Sequence, residues 1–231
     1  MIITIDGPAA SGKSTVAKFL AKRLGFYYIN SGFLYRAVTY LLINHCLYKE
    51  NNLRNPDPLD LKTYIDPNRL VYDFDQDYKV LIIFDGQNIT PYLKTSFIDK
   101  GASIISTNEM VRELLLDIQR VAAQKFNIVA EGRDLGSVVF PEADIKLYLT
   151  ASLKVRAKRW QKDQLEQGNA FSLEEAMDIL KDRDSRDKAR EIAPLIIPDD
   201  AIVIDNSDMT IEQTLQRVLE LVKRTKLITH E

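Results

Sequence analysis

The chain has 231 residues, enough for one large or two small domains with a sizeable buried core. It is 45% hydrophobic and 28% charged with a net charge of −2, a globular composition with no overall basic field for nucleic acid or an anionic membrane. No apolar run approaches the ~20 residues that span a bilayer, no signal peptide is expected ahead of the first predicted strand, and Cys46 as the single cysteine excludes an intrachain disulfide or a cysteine-built zinc site. The expected setting is a reducing cytosol.

Residues 2–5 read as a buried parallel strand, apolar and rich in β-branched side chains. They run into Gly7-Pro8-Ala9-Ala10-Ser11-Gly12-Lys13-Ser14, which fits G-x-x-x-x-G-K-[ST] without mismatch. An amphipathic helix over 15–24 follows, with Val16, Phe19, Leu20 and Leu24 on its apolar face and Gly25 as C-cap. Residues 26–29 form a second strand ending at Asn30-Ser31-Gly32, and 33–46 a helix with Arg36 in its first turn. Residues 47–60, polar and interrupted by Pro56 and Pro58, read as a connector. Leu70–Phe74, a turn at Asp75-Gln76-Asp77, residues 78–84, Asp85-Gly86 and residues 87–89 then predict a three-stranded antiparallel meander.

Ser106-Thr107-Asn108-Glu109 reads as a capping box, and Val111, Leu114, Leu115, Ile118, Val121 and Ala122 as the stripe of the helix it opens. A third core strand over 127–130 ends at Glu131-Gly132-Arg133-Asp134, and a fourth covers 144–149. Residues 153–190 are charged and mostly helical, broken at Gly168-Asn169, with a second capping box from Ser172 to Glu175 and Pro194 and Pro198 beyond the end. A fifth strand at 201–204 precedes a helix capped by Thr210 and Gln213, with Ile211, Leu215, Val218, Leu219 and Val222 inward and a frayed tail after Arg224. The fold expected is α/β: a five-stranded parallel sheet with helices on both faces, interrupted by an antiparallel β insert at about 60–100. Both that insert and segment 153–190 are expected above the carboxyl ends of the strands, as flaps that exclude water from a phosphate site.

The glycine loop carries the first chemical assignment. Gly7 and Gly12 let backbone N–H groups converge on phosphate oxygens, and the helix that follows adds its positive end. Lys13 is placed to span the β- and γ-phosphates and the Ser14 hydroxyl to ligate Mg²⁺, so a nucleoside triphosphate is the expected ligand. Arg36, Arg133, Arg183, Arg186 and Arg190 each follow a strand end or lie in the charged segment. Arg183, Arg186 and Arg190 stand at i, i+3 and i+7 and Asp187 at i+4, so on one helix they form either a solvated ion-pair ladder or a phosphate clamp. Glu131 and Asp134 read as Mg²⁺ or substrate carboxylates, or as a strand-end turn paired locally with arginine. Ser31 and Arg36 read as a phosphate-binding pair, or as a helix cap and a surface cation. His45 and His230 belong to no constellation, and Trp160 and Tyr27-Tyr28 read as packing.

Taken together these motifs resemble the bacterial cytidylate kinases, the CMP/dCMP branch of the nucleoside monophosphate kinases. The markers are Ile5-Asp6-Gly7-Pro8 entering the loop, Ser31-Gly32 with Tyr35-Arg36, residues 132–141 with Gly-Arg-Asp at their head, Arg183-Asp184-Ser185-Arg186-Asp187, and Ala193-Pro194-Leu195. The resemblance covers residues 1–224 and implies ATP and CMP or dCMP as substrates and Mg²⁺ as cofactor. It also implies one kinase domain with a core (1–59, 101–152, 191–224), a monophosphate-binding insert (about 60–100), a lid (about 153–190) and a tail (225–231).

It further implies that Gly7, Pro8, Ala9, Ala10, Ser11, Gly12, Lys13, Ser14, Thr15 and Arg156 bind ATP, with Arg159 nearby. Ser31, Arg36, Arg133 and Arg190 would surround the acceptor phosphate. Ser103, Arg112 and Asp134 would read cytosine, Arg183 and Asp187 would hold the sugar, and Lys13, Arg133, Arg186 and Arg190 would stabilise the transferred charge. The family carries aspartate where this chain has Asn30, which removes the charge needed for a water-mediated Mg²⁺ role there. A monomer with no nucleic-acid or membrane partner is expected. A P-loop kinase for another small acceptor is the alternative enzyme, although the chain lacks the Gly-Gly pair of shikimate-type kinases. A GTPase-like switch is disfavoured by the absence of Asp-x-x-Gly and Asn-Lys-x-Asp.

Overall fold

The computed structural model describes residues 1–75 and 79–228. Gln76 and Asp77 of the predicted turn, Tyr78 at the start of the second meander strand, and His230 lie outside the described residues. In chain order the elements are β1 (Ile2–Asp6), α1 (Lys13–Leu24), β2 (Tyr27–Asn30), α2 (Gly32–Cys46), α3 (Pro58–Tyr64), β3 (Leu70–Phe74), β4 (Val80–Phe84) and β5 (Gln87–Asn88). There follow α4 (Ser96–Ile105), α5 (Glu109–Lys125), β6 (Ile128–Glu131), β7 (Ile145–Thr150), α6 (Leu153–Glu166), α7 (Leu173–Lys188), β8 (Ile202–Asp205) and α8 (Ile211–Ile228). The main sheet has five strands in the order β2-β6-β1-β7-β8, and β3-β4-β5 form a separate antiparallel sheet, as expected for this α/β class.

The chain divides into two compact units, residues 1–26 with 128 onward, and residues 27–127. In the first, β1 runs parallel to both β6 and β7, with Ile3 opposite Val129 on one side and Ile145 on the other, and β7 pairs with β8. Ile3, Ile5, Ile128, Val129, Leu147 and Leu149 are buried, and removing these apolar side chains from water stabilises the sheet. Gly25 caps α1 in the left-handed region (φ 67°), its N–H donating to the Ala21 carbonyl. Two of the three predicted caps form: Ser172 with Glu175 opens α7, and Thr210 with Gln213 precedes α8. The last helix continues to Ile228, past the point where fraying was expected.

In the second unit, α2 is buried on most sides through Leu34, Tyr35, Ala37, Val38, Leu41 and Leu42. The meander is present, and Asp85 and Gly86 turn with φ of 48° and 77°, the positive pair that a type I′ hairpin turn needs. Two segments differ from expectation. The end of the predicted connector opens α3, because Asp57 accepts from the Leu59 N–H and Pro58 occupies the first helical turn, where its missing N–H costs nothing. The second is α4, capped by Thr95, whose hydroxyl accepts from the Ile98 N–H. The cap of α5 is Asn108, accepting from Val111, rather than a box begun at Ser106. Phe19, Val121 and Ile211, assigned to inward faces, are exposed; in α1 the small Ala17 and Ala21 take the buried arc. The side chain of Ala122 lies outside the described residues.

Helix α4 crosses α2 at Gly101, where a Cβ would lie 2.4 Å from Thr39 Cγ2 and 3.0 Å from Leu53 Cδ1. Gly101→Ala should therefore destabilise by about 1–3 kcal/mol although alanine is the better helix former. Adding Thr39→Ser, which deletes Cγ2 and keeps a hydroxyl for the Tyr35 carbonyl, should recover most of the loss in denaturant titrations. Two additive losses would show that the close approach is not the cause.

Candidate active site

The loop between β1 and α1 is shaped by contacts that few side chains tolerate. Gly7 has φ 145°, and a Cβ on it would stand 2.0 Å from the Leu149 carbonyl oxygen. Ala10 (φ 58°) and Gly12 (φ 93°) also lie in the left-handed region. A backbone that alternates in this way can aim successive N–H groups at one anion. The loop carbonyls are then taken up by side chains of the same unit. Lys13 Nζ donates to the Pro8 carbonyl at 2.5 Å and to Ser11 Oγ at 3.3 Å. Arg156 Nη1 donates to Ala9 O at 3.2 Å, and Asn206 Nδ2 to Ser11 O at 3.0 Å, joined there by Arg159 Nη1 at 3.4 Å.

Arg156 also donates to the Ala151 carbonyl (2.9 Å) and pairs with Asp184 (2.7 Å). Ala9 itself packs on Ala157, Ala176 and Leu180 of α6 and α7. The predicted ATP ligand Arg156 is thus buried behind the loop. Asn206, which no local pattern marks, holds the loop together with Arg159, to which its Oδ1 is bonded at 3.0 Å. Ser14 is half-buried and Thr15 exposed in the first turn of α1.

Lys13 is buried beside a cluster of charged groups from β6, the turn after it, and α7. Arg133 Nε meets Asp187 Oδ2 at 2.7 Å, and Arg190 Nη2 bonds Asp187 Oδ1. Burial alone would raise the Asp187 carboxyl, but Arg133, then Arg190 and Arg183, more than offset it and hold it below the usual carboxylate range. Burial, and next the Arg133 charge, push the Lys13 ammonium well below the usual lysine range, with Glu131 opposing. Of the arginines placed on one face by spacing, Arg183 and Arg190 join this cluster. Arg186 does not: it is exposed, and α7 ends at Lys188, so Arg190 arrives from the following bend.

The turn that follows Arg133 and Asp134 is a short π-type helix, Leu135–Val139. Its first two N–H groups, of Leu135 and Gly136, donate to the two carboxylate oxygens of Asp6 at 3.0 and 2.7 Å. Burial drives the Asp6 carboxyl up to about 6, the two N–H groups opposing and the Asp134 charge adding to the rise.

The second unit carries the rest of the predicted substrate set. Ser103 on α4 is buried, and its Oγ has no hydrogen-bond partner among the described residues. Arg112 on α5 is buried, donates to the Ser106 carbonyl at 3.0 Å and stands over the Tyr35 ring at 5.6 Å. Arg36 pairs with Asp99 at 2.5 Å and lies over Phe33, while Ser31 is buried at the start of α2. Asn30 Nδ2 donates to the Tyr28 hydroxyl at 3.0 Å. His45 packs among Tyr64 and Phe84, and Trp160 against Phe171, both as packing residues.

The sequence profile described as cytidylate kinase matches residues 3–224. A cytidylate kinase of Chlamydia caviae is 42% identical over 223 residues, covering 96% of this chain and 98% of the relative. One from Carboxydothermus hydrogenoformans is 38% identical over 225 residues, covering 97% and 98%.

A triphosphate bound at the loop would place negative charge beside Lys13 Nζ and raise its pKa, so binding should take up protons. Titration calorimetry with ATP at about pH 8 in buffers of different ionisation enthalpy should show a buffer-dependent heat of that sign. Lys13→Met should abolish the dependence; if the variant keeps it, another group is the one that titrates.

Proposed function

Because the chain belongs to the cytidylate kinase family, we propose that it transfers the γ-phosphoryl group of ATP to CMP and dCMP, giving ADP and CDP or dCDP. The observation that carries the reading is the convergence of Arg133, Arg183 and Arg190 on Asp187 beside the loop lysine. A phosphate oxygen of the acceptor attacks the γ-phosphorus while the bond from that phosphorus to the β–γ bridging oxygen breaks, and ADP leaves. The protein supplies no nucleophile. Lys13 exchanges the Pro8 carbonyl for β- and γ-phosphate oxygens. Arg133 and Arg190, each a bidentate donor, neutralise charge on the transferred group and the acceptor phosphate.

Ser31 and Arg36 are proposed for the acceptor phosphate. Ser103, Arg112 and Asp134 are proposed for the cytosine edge, whose N4 amine is a donor and whose O2 and N3 are acceptors. The partnerless Ser103 hydroxyl supports this, since a buried polar atom is normally satisfied and a substrate group would satisfy it. Asp187, with a carboxylate's further acceptor capacity beyond its two arginine bonds, and Arg183 suit the sugar hydroxyls. Arg156 is proposed to support ATP binding from behind the loop, and Arg186 to act as an exposed cation of the proposed lid, 153–190; segment 60–100 is the proposed monophosphate-binding insert.

Among the described residues no cluster of three or more histidine, cysteine or acidic side chains forms a metal cage. That fits a Mg²⁺ held by Ser14 with phosphate oxygens and water, the usual habit of this ion. Bound there, the ion would supply positive charge against that developing on the phosphates during transfer. We place the enzyme in pyrimidine nucleotide metabolism, as a cytoplasmic monomer.

A coupled ADP-release assay with ATP, Mg²⁺ and a panel of CMP, dCMP, UMP, AMP, GMP and shikimate tests the reading. Turnover should favour CMP and dCMP over UMP, and Ser103→Ala should narrow that preference by about tenfold. Lys13→Ala should lower kcat by about 10²–10³ while leaving CMP affinity within roughly threefold. Equal loss of CMP binding and turnover would overturn the division into donor and acceptor residues.

A further inference from the structure

Side chains of β1 alternate, so Ile3 and Ile5 fill one face while Thr4 and Asp6 emerge on the other, all four buried. A buried carboxylate is costly unless its charge is met, and both Asp6 oxygens are met by backbone N–H groups of one turn. Those N–H groups belong to Leu135 and Gly136, the opening positions of the Leu135–Val139 turn, which have no acceptor within the turn itself. An N-cap aspartate ordinarily satisfies such donors from its own side chain. Asp134 occupies the N-cap position here, yet its side chain makes no cap bond. The cap has been delegated to a residue 129 positions earlier.

We propose that Asp6 is a positioning residue for the acceptor half of the reaction, its carboxylate fixing the Leu135–Val139 turn and so holding Arg133 and Asp134 in register with the phosphate loop. Only Asp134 separates Arg133 from the first bonded N–H, and Asp6 is covalently joined to Gly7. One carboxylate therefore ties the residue that opens the ATP loop to the residues that face the acceptor. Gly136 belongs to the same device: a Cβ there would stand 2.9 Å from Thr4 Oγ1 and 3.3 Å from Asp6 Oδ2, so a side chain would crowd the turn against β1.

The inference rests on the reading of Arg133 and Asp134 as acceptor residues, and steady-state kinetics on the intact chain separate the two. Asp6→Asn keeps one acceptor oxygen and turns an amide NH2, a donor, toward the other N–H. The expected result is a rise of about tenfold or more in KM for CMP with a fall in kcat, while KM for ATP stays within about twofold. CMP kinetics within about twofold of the parent, or equal rises in both KM values, would overturn it. Should Asp6→Asn fail to fold, Gly136→Ala displaces the same turn without altering charge and should give the same CMP-selective loss. Thr4→Ala in the same chain removes the nearest clash and should restore CMP use; Gly136→Ala with parental CMP kinetics also overturns the proposal. Arg133→Lys and Asp134→Asn run alongside. If both spare CMP, the acceptor reading fails; if they impair CMP use and Asp6→Asn does not, only the Asp6 inference fails.

Discussion

A loop that offers its N–H groups to an anion must send its carbonyl groups elsewhere, and that requirement organises the first unit. Buried carbonyls without partners are expensive, so donors from outside the loop have to find them. Arg156 reaches Ala9 from α6, while Arg159 and Asn206 reach Ser11 from α6 and from the end of β8. The strand order β6-β1-β7-β8 explains how this is possible. Because β7 lies next to β1, the segments leaving the carboxyl ends of β7 and β8 pass the loop. The same adjacency presses the Leu149 carbonyl against Gly7. Helix α7 is drawn into the arrangement through Asp184, which pairs with the loop-bound Arg156. Four positions further along the chain's numbering stands Lys188, and just before it Asp187, the carboxylate that gathers the arginines. One helix therefore holds both the arginine that braces the loop and the arginines gathered beside Lys13.

The charge balance in that cluster explains why it can be both buried and useful. Arg133, Arg183 and Arg190 are set against Asp187 beside Lys13, with Glu131 acting on Arg133 and Lys13 as well. A buried ion pair is a poor source of stability, because desolvation consumes most of the Coulomb gain. What it provides is order: guanidinium groups held at fixed positions on one carboxylate need little rearrangement to meet a phosphate. Lys13 follows the same logic with an uncharged partner, resting on the Pro8 carbonyl.

Much of this was legible in the sequence, and the boundary of legibility has a physical cause. The loop motif, the five core strands, the Asp85-Gly86 hairpin and the Ser172 and Thr210 caps are local, so their signals sit within a few residues of their effects. Pro58 misleads because proline stops one helix and starts another, and the Asp57 before it was the cue for a start. Arg183, Arg186 and Arg190 were grouped on the assumption of an unbroken helix, but α7 ends at Lys188 and Arg186 faces solvent. Asn206 and Asp6 are a different matter. Their partners lie 195 residues before and about 130 after them, so no window on the sequence could pair them. The one cue for Asp6 was chemical: a charged residue closing an apolar strand must be satisfied by something.

That same carboxylate sets fold and turn at odds. It titrates near 6 in the folded chain against 3.8 as a free group, so the folded state binds its proton more tightly than the unfolded one. Its contribution to stability is accordingly complete below about pH 4 and lost as pH rises through about 6. Yet only the ionised form can accept from both the Leu135 and Gly136 N–H groups without a proton in the way. At neutral pH this residue therefore stands in the form that grips the turn and strains the fold. Mild acid reverses the bargain: as far as Asp6 is concerned, the conditions in which the protein best resists unfolding are those in which its two halves of chemistry are least firmly joined.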